Sequence, residues 1–163
     1  MGAVYGFECL CCGYKRTLSI GIGFLYPVIY NRVRQQVYQG YYGEEMRLFL
    51  KENPYRVIIA ENELYVCEDC GELSARDVLG MYKPIDETEE SIKKINKASM
   101  DARKPKMVLS NELKGKYIKY KDYDHRCDIC NGKMIMIPRK EYDTVRCPKC
   151  KNVMEWDTGT VWD

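Results

Sequence analysis

The alternation of hydrophobic and polar positions changes character several times along the chain. Residues 3–20 read as a strand, a cysteine turn and a second strand, Tyr14-Lys-Arg-Thr-Leu-Ser-Ile20. From Asn31 to Gln39 the pattern becomes helical, with Val33 and Val37 four residues apart on one face and Gly40 as the stop. A second short helix is predicted over 44–51, where Met46, Leu48, Phe49 and Leu50 supply an apolar face and Asn53-Pro54 ends it. Strand composition returns over 55–60 and 63–67, joined through Glu61-Asn62. Between Pro84 and Pro105 large apolar residues thin out. The acidic run Asp86-Glu-Thr-Glu-Glu90 gives way to Lys93, Lys94, Lys97, Arg103, Lys104 and Lys106, so this stretch reads as a charged linker with a short helix over 89–98. Further on, Lys133-Met-Ile-Met-Ile137 and Thr144-Val-Arg146 are expected to pair as short strands.

A chain of 163 residues, 45% hydrophobic and 31% charged, is globular rather than disordered. Its aromatics are 14 Tyr against 3 Phe and 2 Trp, which suits thin sheets whose rings are half buried and half wet. No basic, apolar leader opens the chain, and the apolar stretch from Ile20 to Tyr30 is too short to cross a bilayer. These features lead us to expect a cytoplasmic protein with no membrane partner. In a reducing compartment the nine cysteines are metal ligands sooner than disulfides.

Eight of them form four Cys-x-x-Cys units: Cys9/Cys12, Cys67/Cys70, Cys127/Cys130 and Cys147/Cys150. Two intervening residues make a tight turn that aims both sulfurs at one tetrahedral ion about 2.3 Å away. Gly13 and Gly71 relax the turn after the second ligand, Gly132 stands one residue later, and Pro148 stiffens the last turn. The last two units are 16 residues apart, within the usual window for one four-cysteine site. Cys127, Cys130, Cys147 and Cys150 are therefore expected to share one Zn2+. By elimination, Cys9, Cys12, Cys67 and Cys70 share a second across 54 residues. Cys11 is left over as a spare thiol, or as a reactive one.

The sequences Cys67-Glu-Asp-Cys70-Gly71, Cys9-Leu-Cys-Cys12-Gly13 and Cys147-Pro-Lys-Cys150 resemble the zinc-ribbon (rubredoxin-knuckle) class. With Gly21-Ile-Gly-Phe-Leu-Tyr-Pro27, Met81-Tyr82 and the closing Trp-Asp, the layout also resembles a group of small tandem zinc-ribbon proteins of Gram-positive bacteria. That resemblance transfers no activity. The expected fold is small α+β, mainly β, with two four-cysteine ribbons. The first occupies 1–83 with a helical insertion over about 24–54; a charged linker follows at 84–106, and the second ribbon lies at 107–163. Ribbons so thin depend on metal to fold, so its removal should unfold both.

Candidate chemistry points away from catalysis. A catalytic zinc keeps an open position, whereas four thiolates close these sites. The single histidine, His125, reads as a surface residue beside a cysteine turn. No phosphate-binding glycine loop, nucleophile elbow or HExxH motif is present. The leading expectation is a non-enzymatic module that binds a protein partner through Phe24, Leu25, Tyr26, Tyr41, Tyr42 and Phe49. The alternative is nucleic-acid binding. Residues 93–139 carry 13 Lys/Arg against five acids, and Lys114, Lys116, Tyr117, Lys119, Tyr120, Lys121 and Arg126 interleave cations with rings that can stack. The whole-chain charge opposes it, because eight bound thiolates and two Zn2+ take the formal value from +2 to −2. A thiol redox sensor, working through Cys11, is a second alternative.

Overall fold

The computed structural model of the chain describes residues 2–88, 90 and 107–162. It is α+β and mostly strand, and its contacts divide it into two compact units, each built from separated stretches of chain. The first unit contains residues 1–24, 62–77 and 124–163; the second contains 25–61 and 78–123. The helix expected over 89–98 lies, Glu90 aside, outside the described residues, as does most of the linker. Pro84, where that linker was expected to begin, instead closes a strand.

In the first unit β1 (Gly2–Glu8) is central to a three-stranded antiparallel sheet. It is flanked by β2 (Lys15–Ile20) and by β9 (Glu155–Trp162). A second antiparallel sheet centres on β4 (Asn62–Cys67), flanked by β5 (Leu73–Asp77) and β8 (Met134–Met136). Alternation sets the faces of the first sheet: Ala3, Tyr5 and Phe7 of β1 point inward with Leu18 and Ile20 of β2. They meet Leu64 and Leu73 of the other sheet in one core, closed by Tyr142, Val145 and Met154. Tyrosines fill this core instead of straddling its edge; Tyr5 and Tyr142 are almost fully buried.

The second unit holds α1 (Tyr26–Tyr38), α2 (Glu44–Glu52) and an antiparallel sheet ordered β3 (Val57–Ile59), β6 (Gly80–Pro84), β7 (Tyr117–Lys121). The helix α1 starts five residues earlier than its valine spacing suggests. Pro27 sits in the first turn, where a missing N–H breaks no helical bond. Its buried residues Tyr26, Tyr30, Val33, Arg34 and Val37 form one stripe. In α2, Glu44 and Glu45 occupy the first turn and Lys51 the last, the order the helix dipole favours. Val57, Ile59, Val108, Leu113 and Tyr117 form a core on the sheet.

This architecture replaces the expected boundaries at 83 and 107. The helices are part of a separate unit with three strands of its own, and no ribbon ends at 83. The strands expected over 55–60 and 63–67 enter different sheets: β3 pairs with β6, and β4 with β5 and β8. Residues 133–137 do not pair with 144–146 either, because β8 joins β4 while Arg139–Thr144 coils into 3-10 turns. Among the described residues no helix is long and apolar enough to cross a membrane.

Candidate metal centres

Each Cys-x-x-Cys unit is the same local structure, built four times. The N–H of the residue after the second cysteine donates to the carbonyl of the first: Gly13 to Cys9 (2.8 Å), Gly71 to Cys67 (3.0 Å), Asn131 to Cys127 (2.9 Å) and Lys151 to Cys147 (3.0 Å). In return the first cysteine's N–H reaches a carbonyl beyond the turn, on Tyr14, Glu72, Gly132 or Asn152, at 2.8–2.9 Å. The residue before each first cysteine pairs with the residue three places beyond the second: Glu8 with Lys15, Val66 with Leu73, Arg126 with Lys133, Arg146 with Val153. The turn closes only if the residue after it adopts positive φ. Gly13 (φ 70°) and Gly71 (φ 81°) do so at little cost, whereas Asn131 (φ 59°) and Lys151 (φ 65°) do so as non-glycine residues. The first cysteine of each pair is buried and the second more open, so each turn offers one anchored and one outward sulfur.

The turns meet in a nested order that differs from the expected one. Cys9, Cys12, Cys147 and Cys150 form one cluster, and Cys67, Cys70, Cys127 and Cys130 the other. Strand pairing decides this. The register Glu8↔Glu155 between β1 and β9 carries the last turn to the first, and Val66↔Ile135 between β4 and β8 carries the third to the second. Both registers join the residue before one turn to the residue five places beyond the other turn. The two halves of the unit are thus one module built twice, with the inner copy inserted in the outer. A 16-residue spacing says that two turns can reach one ion, but not that a 3-10 segment and a strand between them lead elsewhere.

The sulfurs within each cluster lie within 4.8 Å of one another. The closest contacts are Cys9–Cys150 at 3.3 Å and Cys12–Cys147 at 3.6 Å in the outer cluster, and Cys67–Cys130 at 3.4 Å and Cys70–Cys127 at 3.7 Å in the inner. A disulfide needs about 2.05 Å, whereas four thiolates about 2.3 Å from a tetrahedral ion sit about 3.8 Å apart. The clusters have the second geometry. Their protons are also unevenly held. The N–H of Asn152, then contact with Cys9, draws the Cys150 thiol down to about 6, and the N–H of Cys70 draws Cys67 down to about 7. Cys12 and Cys70 are pushed up to about 12; N–H groups of Tyr14 and Glu72 pull against this, but burial and neighbouring cysteines prevail. Four thiols so close cannot all ionise alone, and a divalent cation removes that conflict. The donor set therefore fits a metal ion in each cluster.

The other sequence candidates are dispersed. Cys11 is exposed and belongs to neither cluster. His125 is buried, not at the surface, its ring 4.6 Å from that of Tyr65. Of the residues expected to bind a protein, Tyr26 and Phe49 are core, Tyr42 is half-buried, and Phe24, Leu25 and Tyr41 are exposed. In the basic stretch Tyr117 is buried and Tyr120 stacks on Phe49 at 4.8 Å. Lys119 pairs with Asp122 at 2.8 Å, Lys121 with Glu45 at 2.7 Å and Arg126 with Asp124 at 3.6 Å. Lys114 and Lys116 are exposed, and Arg126 belongs to the first unit while the others belong to the second. Comparison of the chain with protein-family models, with curated proteins and with solved structures gave no match.

Proposed function

We propose that this is a non-enzymatic zinc protein in which two closed tetrathiolate sites of zinc-ribbon type hold the first unit together for a protein partner. The observation that supports it is the gathering of eight cysteines from four identical turns into two clusters, with no other ligating side chain in either among the described residues. Zn2+ suits four thiolates in a tetrahedron, and once bound it leaves no position for water or substrate. It supplies cross-links in place of hydrophobic mass, not a reaction. The chain's own residues fix the sulfurs: turn N–H groups brace the backbone, and the N–H of Ile129 donates to Cys127 Sγ at 3.4 Å.

Support for a protein partner comes from apolar exposure. Leu25 and Val28 at the start of α1 are 64% and 66% exposed, and Phe24 just before them is 82% exposed. Exposed large apolar residues in succession favour contact with another protein. Pairing of Lys119 and Lys121 with acids, and the use of both rings of that strand in packing, weaken the nucleic-acid alternative.

Elemental analysis of reductively purified protein is expected to find two zinc ions per chain. Iron in their place would change the metal, and the absence of metal would remove the reading. For the partner, anisotropy titrations with DNA and RNA at two salt concentrations are expected to show no micromolar binding. A steeply salt-dependent micromolar complex would replace the protein partner with nucleic acid.

A further inference from the structure

The inner and outer cysteine clusters belong to one unit, and their turns touch. A Cβ placed on Gly71, next to inner ligand Cys70, would lie 3.2 Å from Pro148 Cα, between outer ligands Cys147 and Cys150. Across the same contact Lys151, the residue after Cys150, donates from Nζ to the carbonyl of Cys70 at 3.2 Å. Outer ligands Cys9 and Cys147 also share a core with Leu64 and Leu73, which lie in the strands flanking the Cys67/Cys70 turn.

Lys151 is the odd member of its set. The two turns that open the modules use glycine at this position, and a third uses asparagine, which tolerates the left-handed region. A lysine held at φ 65° is strained backbone, and strain of this kind persists where the side chain has a use. Here the side chain is a cation that follows outer ligand Cys150 and reaches the carbonyl of inner ligand Cys70, so it links two centres that would each carry two net negative charges once four thiolates bind a divalent ion. Without it those centres repel, and binding at one opposes binding at the other. With it, the first ion to bind fixes a turn whose lysine already holds the second turn in place.

Resting on the metal reading above, we infer that the two sites load with positive cooperativity and that Lys151 is the positioning residue that couples them. Coupling between binding sites is reciprocal, so either ion raises the affinity for the other by the same factor. Chain topology adds a smaller part. Closing the inner site roughly halves the chain that the outer site must close, an effect of about threefold in affinity. The contact through Lys151 and Gly71 brings the whole factor to the order of tenfold.

Native mass spectrometry of the reduced full chain during zinc titration resolves the species with no, one and two ions. At half-saturation a tenfold factor leaves about a quarter of the chains with one ion, whereas independent sites leave about half or more. The wild type is expected to show the scarce one-ion species. Lys151→Gly relieves the backbone strain and removes the amine; it is expected to raise the one-ion fraction towards one half and to weaken the inner site, to which Lys151 contributes no ligand. A wild type that passes through a dominant one-ion species overturns the coupling alone. A Lys151→Gly protein that keeps the one-ion species scarce overturns the role of the lysine. A chain that takes up no zinc at any ratio overturns the metal reading and the coupling together.

Discussion

Tyr142 is 1% exposed and meets the rings of Tyr5, Phe7 and Trp156 at centroid distances of 5.5, 5.5 and 5.6 Å. It is the ring about which the core of the first unit is arranged. Its hydroxyl is buried and has no hydrogen-bond partner among the described residues. An unsatisfied buried hydroxyl costs about 1–3 kcal/mol, so Tyr142→Phe should leave the folded protein unchanged or more stable by about 1 kcal/mol. Tyr142→Ala should remove about 3–5 kcal/mol. Urea denaturation of the two variants decides it, and a clear loss in the Phe variant would show that the hydroxyl is used. Tyr117 allows a test by pH: burial pushes its phenol up to about 12, against an ordinary value near 10. The folded state therefore holds this proton where the unfolded state has lost it. That stabilisation is complete below pH 10 and disappears as pH rises to 12. Denaturation midpoints measured between pH 9 and 12 should fall more steeply in the wild type than in Tyr117→Phe; parallel curves would contradict the assignment.

At the scale of the turn and its strands, Gly132 packs directly against the facing turn of the inner cluster. A Cβ at this position would run into the carboxylate of Asp69 and lie 3.0 Å from Cys67 Sγ, a cluster sulfur of the facing turn. Gly132→Ala is thus expected to weaken the inner site at least tenfold while the outer keeps its affinity to within the coupling factor. Competition with a chromophoric chelator would show it, and two equally affected sites would argue against the nested assignment. Much at this scale was legible in the sequence: the four turns, β1 and β2 on either side of the first, α2 ending before Asn53-Pro54, and the eight sulfurs as members of four-cysteine clusters that fit a metal ion. The pairing was not, because spacing describes reach and strand order decides who meets. A local signal did exist. Two turns are followed by glycine and two by Asn131 and Lys151, and each cluster takes one of each kind. Cys9/Cys12 and Cys67/Cys70 are equivalent halves of two modules, so they were never complements of each other. The strand β9 had no such signal, since Glu155-Trp-Asp-Thr-Gly-Thr is almost wholly exposed and alternates weakly.

Across the whole molecule, the two units should differ in what they owe to metal. The first is about 80 residues of short strands whose core includes the cluster cysteines Cys9 and Cys147 themselves. Without ions, four crowded thiols in each of two clusters stand where cross-links belong, and domains of this size rarely hold on a small core alone. No cysteine lies in 25–61 or 78–123, and the second unit has the apolar stripe of α1, the face of α2 and a three-stranded sheet to bury. Its two chain segments are joined by residues 62–77. If the first unit unfolds, that stretch becomes a flexible loop of 16 residues, whose closure costs about 2–3 kcal/mol and leaves α1 and α2 intact. Chelation should therefore separate the chain into a molten part and a folded part, contrary to the uniform unfolding expected of two ribbons. Hydrogen exchange after chelator treatment should show rapid exchange in β1, β4, β8 and β9, with protection retained in α1, α2, β3 and β6. The helical circular dichroism signal should then melt separately at higher temperature. Loss of helix and of all strand protection in one step would mean that the second unit cannot stand without the metal-bound one.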